Sequence, residues 1–279
     1  MKIEILNNRY QIYTTYNLLY FFKIMRHIPR KRFSQNFLVD SQVVHNIVRA
    51  ILPLKNDLLV EIGPGLGALT KPLLSSLNHL HVIEIDRDIV ARLQQENTVK
   101  ELTVHSSDAL KFDFFTLGIN LRVVGNLPYN ISTPILFHLS KFSKNICDMH
   151  FMLQKEVVER MVALPSTSSY GRLSIMLQSH FEMEQLFTVS PESFLPIPKV
   201  QSAIVRMIPL KQKMVDENKE ALFSTIVAAA FSQRRKTLRN TLQDYLKPED
   251  FETLKIEPRL RAENLSITQF VAITNHLFQ

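Results

Sequence analysis

The 279-residue chain has a single cysteine, Cys147. An intrachain disulfide is therefore excluded, and the composition fits a reducing cytoplasm. No Cys/His cluster has zinc-ligand spacing, so no metal is expected. No Gly-Lys-Ser/Thr follows a glycine loop, which excludes P-loop nucleotide chemistry. The spacing Gly-x-Gly-x-x-Gly is also missing, which argues against a nicotinamide dehydrogenase. There is no internal repeat and no low-complexity tract. A run long enough to cross a membrane is lacking too. Tyr10 to Ile24 is rich in Tyr, Leu and Phe, yet Gln11, Thr14, Thr15 and Asn17 interrupt it. That stretch has neither the basic start nor the small-residue cleavage site of a secretory signal. The reading takes Met25 as the native start and residues 1–24 as upstream sequence read as protein.

What is present suits a globular protein of one large and one small domain, with 46% hydrophobic and 21% charged residues. The formal charge of +7 and pI near 9.4 favour an anionic partner, nucleic acid ahead of membrane. No feature demands an oligomer, so a monomer is expected.

A basic run, Arg26 to Arg32, leads into Ser34-Gln35-Asn36-Phe37-Leu38. An amphipathic helix then starts at Ser41, with Val43, Val44, Ile47, Val48 and Ile51 at helical spacing and Pro53 ending it. Leu58 to Ile62 reads as a buried strand running into Gly63-Pro64-Gly65-Leu66-Gly67, a turn that lets backbone approach a ligand. A helix is expected over 68–77, a strand over 81–86 and a helix over 88–97. The second strand ends in Glu84 and Asp86, where an acid can accept bonds from ribose hydroxyls. Period 2 puts both on one side, and each can instead cap the next helix. Asp108 lies just past a third strand, 102–105, placed to hold a cofactor's adenine amine. Strand and turn units alternating with helices predict a parallel, doubly wound sheet. A short glycine turn, an acid on strand two and an Asp after strand three fit S-adenosylmethionine.

The fourth strand, 121–125, leads into Asn126-Leu127-Pro128-Tyr129. The Asn126 side-chain oxygen and the Leu127 carbonyl are two acceptors for the two N–H bonds of an exocyclic amine such as adenine N6. Pro128 stiffens the turn, and Tyr129 offers a ring face on which a base can stack. The alternative for these four residues alone is an ordinary Asn-Pro turn. Further on, 149–153 reads as a strand, 155–163 and 171–179 as helices. Strands 186–189 and 203–208 read as an antiparallel hairpin across a Pro-rich loop that presents Phe194. Residues 209–218 read as a linker, and 219–279 as helical. Arg234, Arg235, Lys236 and Arg239 give four cations within six residues, a phosphate-contacting surface or a solvated helix face.

Together these segments resemble the small-subunit (16S) ribosomal RNA adenine N6,N6-dimethyltransferases of the KsgA type. The resemblance runs from Arg30 to the C-terminus. It is carried by Gln35-Asn36-Phe37-Leu38, Glu61-Ile62-Gly63-Pro64-Gly65, Glu84-Ile85-Asp86-Arg87 and Asn126 to Ser132. Met152 to Val157, Tyr170 to Ser174, Phe194 to Val200, Phe231 to Arg239 and Arg261 to Ser266 extend it in order. It implies a Rossmann-like α/β methyltransferase sheet, mostly parallel with an antiparallel C-terminal hairpin. Residues 25–209 would form that S-adenosylmethionine-binding domain and 210–279 a small helical domain for the particle. Asn36 and Leu38 would close over the cofactor, and Gly63 and Gly65 would line its methionine side. Glu84 would hold its ribose, Asp108 its adenine, and Asn126 both cofactor and target amine. Leu127 would contribute its carbonyl, while Tyr129 and Phe194 would sandwich the base. Arg30, Lys31, Arg32 and the cluster at 234–239 would face rRNA in a pre-ribosomal 30S particle. Ser34 stands where the family usually has Gly; a φ > 0 there would cost roughly 1 kcal/mol. Two rivals remain: a resistance methylase of large-subunit rRNA, and an assembly factor whose binding matters more than its catalysis.

Overall fold

Side chains of the central strands point alternately into two apolar clusters, and this builds the molecule. In the computed structural model, which describes residues 36–96 and 101–278, β2 (Leu58–Ile62) sends Val60 and Ile62 into one apolar cluster and Leu59 into another. The same division holds in β5 (Leu121–Asn126), with Val123 on one face and Val124 on the other. A strand buried on both faces belongs to a sheet covered by helices on both sides.

That sheet has seven strands in the order β4-β3-β2-β5-β6-β9-β7. Its members are β3 (Leu80–Glu84), β4 (Leu102–Ser106), β6 (Ile146–Gln154), β7 (Phe181–Val189) and β9 (Ser202–Pro209), besides β2 and β5. The first five in spatial order are parallel, and β9 runs antiparallel to both its neighbours, β6 and β7. The chain winds outward from β2 to β4, returns, and winds the other way through β5 and β6. The reversal opens a crevice between the carboxyl ends of β2 and β5, where open α/β sheets bind ligands.

A two-stranded sheet, β1 (Phe37–Leu38) with β8 (Phe194–Leu195), sits apart. Val39 N donates to the Ser193 carbonyl at 2.9 Å, and Ser193 Oγ donates to Asp40 Oδ2 at 3.0 Å. The other Asp40 oxygen caps the helix Ser41–Ile51, accepting from Gln42 N and Val43 N. One aspartate therefore starts a helix and latches the Pro-rich loop to the segment before it.

Several elements differ from the sequence reading. The helix expected over 68–77 is confined to Thr70–Leu74, because the three glycines of the preceding turn take positive φ and delay it. β7 begins at Phe181 instead of 186; a bulge between Gln185 and Phe187 breaks the alternation that would have shown it. The hairpin of β7 and β9 forms, but β8 in its connection pairs with β1. Residues 209–218 are pinned to the body: Val215 is buried, and Leu210 N and Met214 N bond the carbonyls of His180 and Ser179. Past them, four helices, Glu220–Ala230, Leu238–Thr241, Pro248–Thr253 and Ile267–Leu277, build a third core that also takes in Ala163, Tyr170 and Ile175. Residues 1–24, the basic residues Arg30, Lys31 and Arg32, and Ser34 lie outside the described residues. Among the described residues no helix is long and apolar enough to cross a membrane.

Candidate active site

The crevice holds a cavity of about 740 Å³. Asn36, Leu38, Gly63, Gly65, Glu84, Asp108, Asn126, Leu127 and Tyr129 all line it. Residues separated by ninety positions in sequence thus share one chamber.

Backbone geometry makes the chamber. Gly63 and Gly65 sit at φ +68° and +53°, which only glycine adopts without strain. A Cβ on Gly125 would stand 2.5 Å from the Ile62 carbonyl oxygen, so β2 and β5 approach closely at the switch point because no side chain intervenes. The strand then delivers Asn126 at its end.

Glu84 ends β3 inside the cavity, and its Oε1 accepts the Ile85 and Asp86 N–H groups at 2.9 Å each. Burial pushes its carboxyl up from the usual range, against those backbone bonds. Asp86 does not line the cavity; it accepts Asp88 N at 3.1 Å at the start of the helix Arg87–Glu96. The two acids part because the strand ends at Glu84 and period 2 no longer applies beyond it. Asp108 accepts Leu110 N at 3.0 Å on one oxygen.

Asn126 Nδ2 donates to the Asn36 carbonyl at 3.2 Å. A carbonyl can only accept, so this bond fixes which end of the amide faces it and leaves Oδ1 an acceptor with no partner among the described residues. Leu127 N donates to Met152 O at 3.2 Å, while its own carbonyl accepts nothing from the described residues. The turn below is tied: Pro128 O accepts Ile131 N at 3.1 Å, and Ser132 Oγ donates to Tyr129 O at 2.9 Å. The Tyr129 hydroxyl lies 2.9 Å from Ser202 Oγ. Burial pushes its phenol up, with the Ser202 bond opposing.

Phe194 is not brought to this group. It is 1% exposed and packs in the core with Phe37 and Leu38, because pairing of β8 with β1 turns its ring inward. The opposing wall assigned to it for a sandwich is not formed in this structure.

Sequence reading missed Glu61, which lines the cavity while fully buried, its Oε2 accepting Thr70 Oγ1 at 2.7 Å. Burial pushes its carboxyl up to about 7; the Thr70 bond opposes this and nearby Glu84 adds to it. An isolated carboxyl in a strand carries no signal of its own in a sequence. The native state therefore holds this proton more tightly than the unfolded chain. The associated stability is complete below an unfolded value near 4.5 and is lost as pH rises through about 7. Glu61→Gln should stabilise the cofactor-free protein near pH 8 by up to about 3 kcal/mol, and by far less near pH 5. Thermal unfolding of both proteins at the two pH values checks this.

The basic cluster is on a turn, residues 232–236, and not on a helix face; Arg239 follows in the next short helix. All four cations are exposed. Leu238 N bonds Leu260 O and Arg239 N bonds Pro258 O, which carries the exposed Arg259 and Arg261 alongside. Only the tertiary fold assembles these six.

A mostly parallel sheet with its crevice at the strand ends, a glycine turn, and carboxyls aimed into a chamber sized for a nucleoside-bearing cation define an S-adenosylmethionine-dependent methyltransferase. The residues fit that cofactor: acids suit its ribose hydroxyls and positive charges, and the Gly63–Gly65 turn leaves backbone, not side chain, against it. The chain belongs to the ribosomal RNA adenine dimethylase family, whose model matches residues 26–279. It is 69% identical to the ribosomal RNA small subunit methyltransferase A of Nitrosospira multiformis, over 90% of this chain and 97% of that one. The protein of the same name from Thiobacillus denitrificans is 62% identical over 90% and 98%. A dimethyladenosine transferase from Plasmodium falciparum superposes with a TM-score of 0.71 at 25% identity, covering 85% of this chain and 95% of that one. The fold is also that of the 23S rRNA methyltransferase ErmE, with a TM-score of 0.68 at 22% identity, covering 88% and 100%. The enzyme is an rRNA adenine dimethyltransferase.

Proposed function

We propose that the protein transfers two methyl groups to N6 of each of two adjacent adenosines in a loop near the 3′ end of small-subunit rRNA, as a monomer acting on a pre-ribosomal 30S particle in the cytoplasm. The observation that carries the chemistry is the pair of acceptors left unused by the described residues, Asn126 Oδ1 and Leu127 O, on two residues that line the cofactor chamber. When bound, S-adenosylmethionine supplies a methyl group activated by its sulfonium.

Asn36, Leu38, Gly63, Gly65, Glu84 and Asp108 hold the cofactor in this reading. Asn126 and Leu127 hold the amine by its two N–H bonds, pulling it toward pyramidal geometry so that its lone pair is localised. An arylamine needs that help, because its lone pair is otherwise delocalised into the ring. Tyr129 supplies a stacking face, and the base enters unpaired. Rate acceleration comes from orientation and fixed acceptors, and no strong base is required: the N-methylated cation loses its proton readily. Residues 25–209 do the chemistry, and 210–279 contact the particle.

Incubation with unmodified small-subunit particles and, in parallel, large-subunit rRNA tests this by nucleoside mass spectrometry. N6,N6-dimethyladenosine is expected only in the small-subunit sample; product only in the large-subunit sample would overturn the target. Replacing Arg234, Arg235, Lys236 and Arg239 together by Glu should weaken particle binding by at least about 100-fold and flatten its salt dependence by roughly 3 logarithmic units per tenfold salt. Cofactor affinity should not change. Binding measured at several salt concentrations checks both.

A further inference from the structure

We propose that Ser202 is a positioning residue, acting through Tyr129, on which the second methyl transfer depends more than the first. This rests on the reading of Tyr129 as the face that stacks the target base.

Ser202 is the first residue of β9 and is fully buried. Its backbone is held by register pairing to Gln154 of β6 on one side and Val189 of β7 on the other, so its Cβ has little freedom. Its hydroxyl points at the Tyr129 hydroxyl, 2.9 Å away, and neither oxygen has another side-chain partner among the described residues. The Tyr129 ring is thus tied at both ends: at its backbone by Ser132 Oγ on its carbonyl, and at its tip by the antiparallel end of the sheet. A swing of the ring about its Cα–Cβ bond would strand two hydroxyls, one of them in the core, at a free-energy cost that discourages it. The place of the ring against which a base stacks is held from a strand that, among the described residues, contributes nothing else to the chamber.

The two transfers make unequal demands on that plane. In each, the N6 lone pair forms the new N–C bond as the methyl–sulfur bond breaks, its electron pair staying on sulfur, and an N6 proton leaves to solvent. Before the first, N6 has two N–H bonds for Asn126 Oδ1 and Leu127 O. Before the second it has one, and the other acceptor faces a methyl group. With half of the polar hold gone, the orientation of the base falls to stacking. A ring free to swing out of place therefore harms the second step more.

Ser202→Ala and Tyr129→Phe remove the same bond from opposite ends. Each should slow both transfers, and each should raise the ratio of N6-monomethyladenosine to dimethyladenosine about tenfold at matched extent of first transfer, the loss of one buried hydrogen bond. Cofactor affinity should stay near that of the wild type, and the melting temperature should fall by only a few degrees. The double variant should give the same ratio as either single one. A product ratio unchanged in the single variants, or effects that multiply in the double, would overturn the proposal; were Ser202→Ala poorly folded, Tyr129→Phe alone decides it. Tyr129→Ala separates the two readings. Loss of both transfers supports the stacking role, and unchanged turnover would refute that role and the inference with it.

Discussion

Asn126→Ala is expected to lower methyl transfer at least about 100- to 1,000-fold, the range found when one positioned polar group facing the reacting centre is removed. Two losses combine. The acceptor for one N6 hydrogen goes with Oδ1, and the donor that holds the Asn36 carbonyl goes with Nδ2. The second loss reaches the cofactor, since Asn36 and Leu38 precede the Asp40 latch and line the chamber. The variant should therefore also bind S-adenosylmethionine more weakly. Asn126→Asp separates the effects. It keeps two acceptors for the amine but sets a carboxylate against the Asn36 carbonyl, so cofactor binding should suffer more than the alanine variant's. Calorimetry of cofactor binding and single-turnover transfer on small-subunit particles give the two readouts. Particle binding should persist in both variants, because the exposed cations lie in another part of the chain. Near-normal turnover of the alanine variant would refute the assignment.

The second large effect is expected at a residue with no side chain. Gly125→Ala places a Cβ 2.5 Å from the Ile62 carbonyl oxygen and 3.2 Å from Leu127 Cδ2. The oxygen belongs to the backbone of a central strand and cannot swing aside. β2 and β5 must separate at the switch point, which should cost about 1–3 kcal/mol or more, as overpacking does. Function should suffer beyond stability. The Gly63 turn hangs from one of those strands and Asn126 from the other, so a small separation misaligns cofactor and amine together. Gly171→Ala is the matched control, since a Cβ there meets nothing within 4 Å. It should unfold and turn over like the wild type, whereas Gly125→Ala should lose melting temperature and cofactor affinity. Denaturation and equilibrium dialysis of the pair check this.

The strands β2 to β5 were legible because each is short, carries β-branched residues and is bounded by a turn, as in Leu58–Ile62 and Leu121–Asn126. The N-capped helix Ser41–Ile51 was legible from its 3.6-residue spacing. β7 was half hidden, because a bulge puts two residues opposite one and destroys the period. The segment 209–218 looked like a linker from its charge; one buried valine and two backbone bonds anchor it.

The sequence by itself determined the chemistry of the chamber: a glycine turn after one strand, acids after two others, and Asn-Leu-Pro-Tyr after a fourth, each recorded locally in residue type and spacing. Only the tertiary structure decided that Glu61 lines the cavity with its proton tightly held, that Phe194 turns into the core, and that Ser202 meets Tyr129. Those outcomes depend on where strands end and which neighbours they pair with. Such facts arise from contacts between segments far apart in the chain, and no local pattern of residues records them.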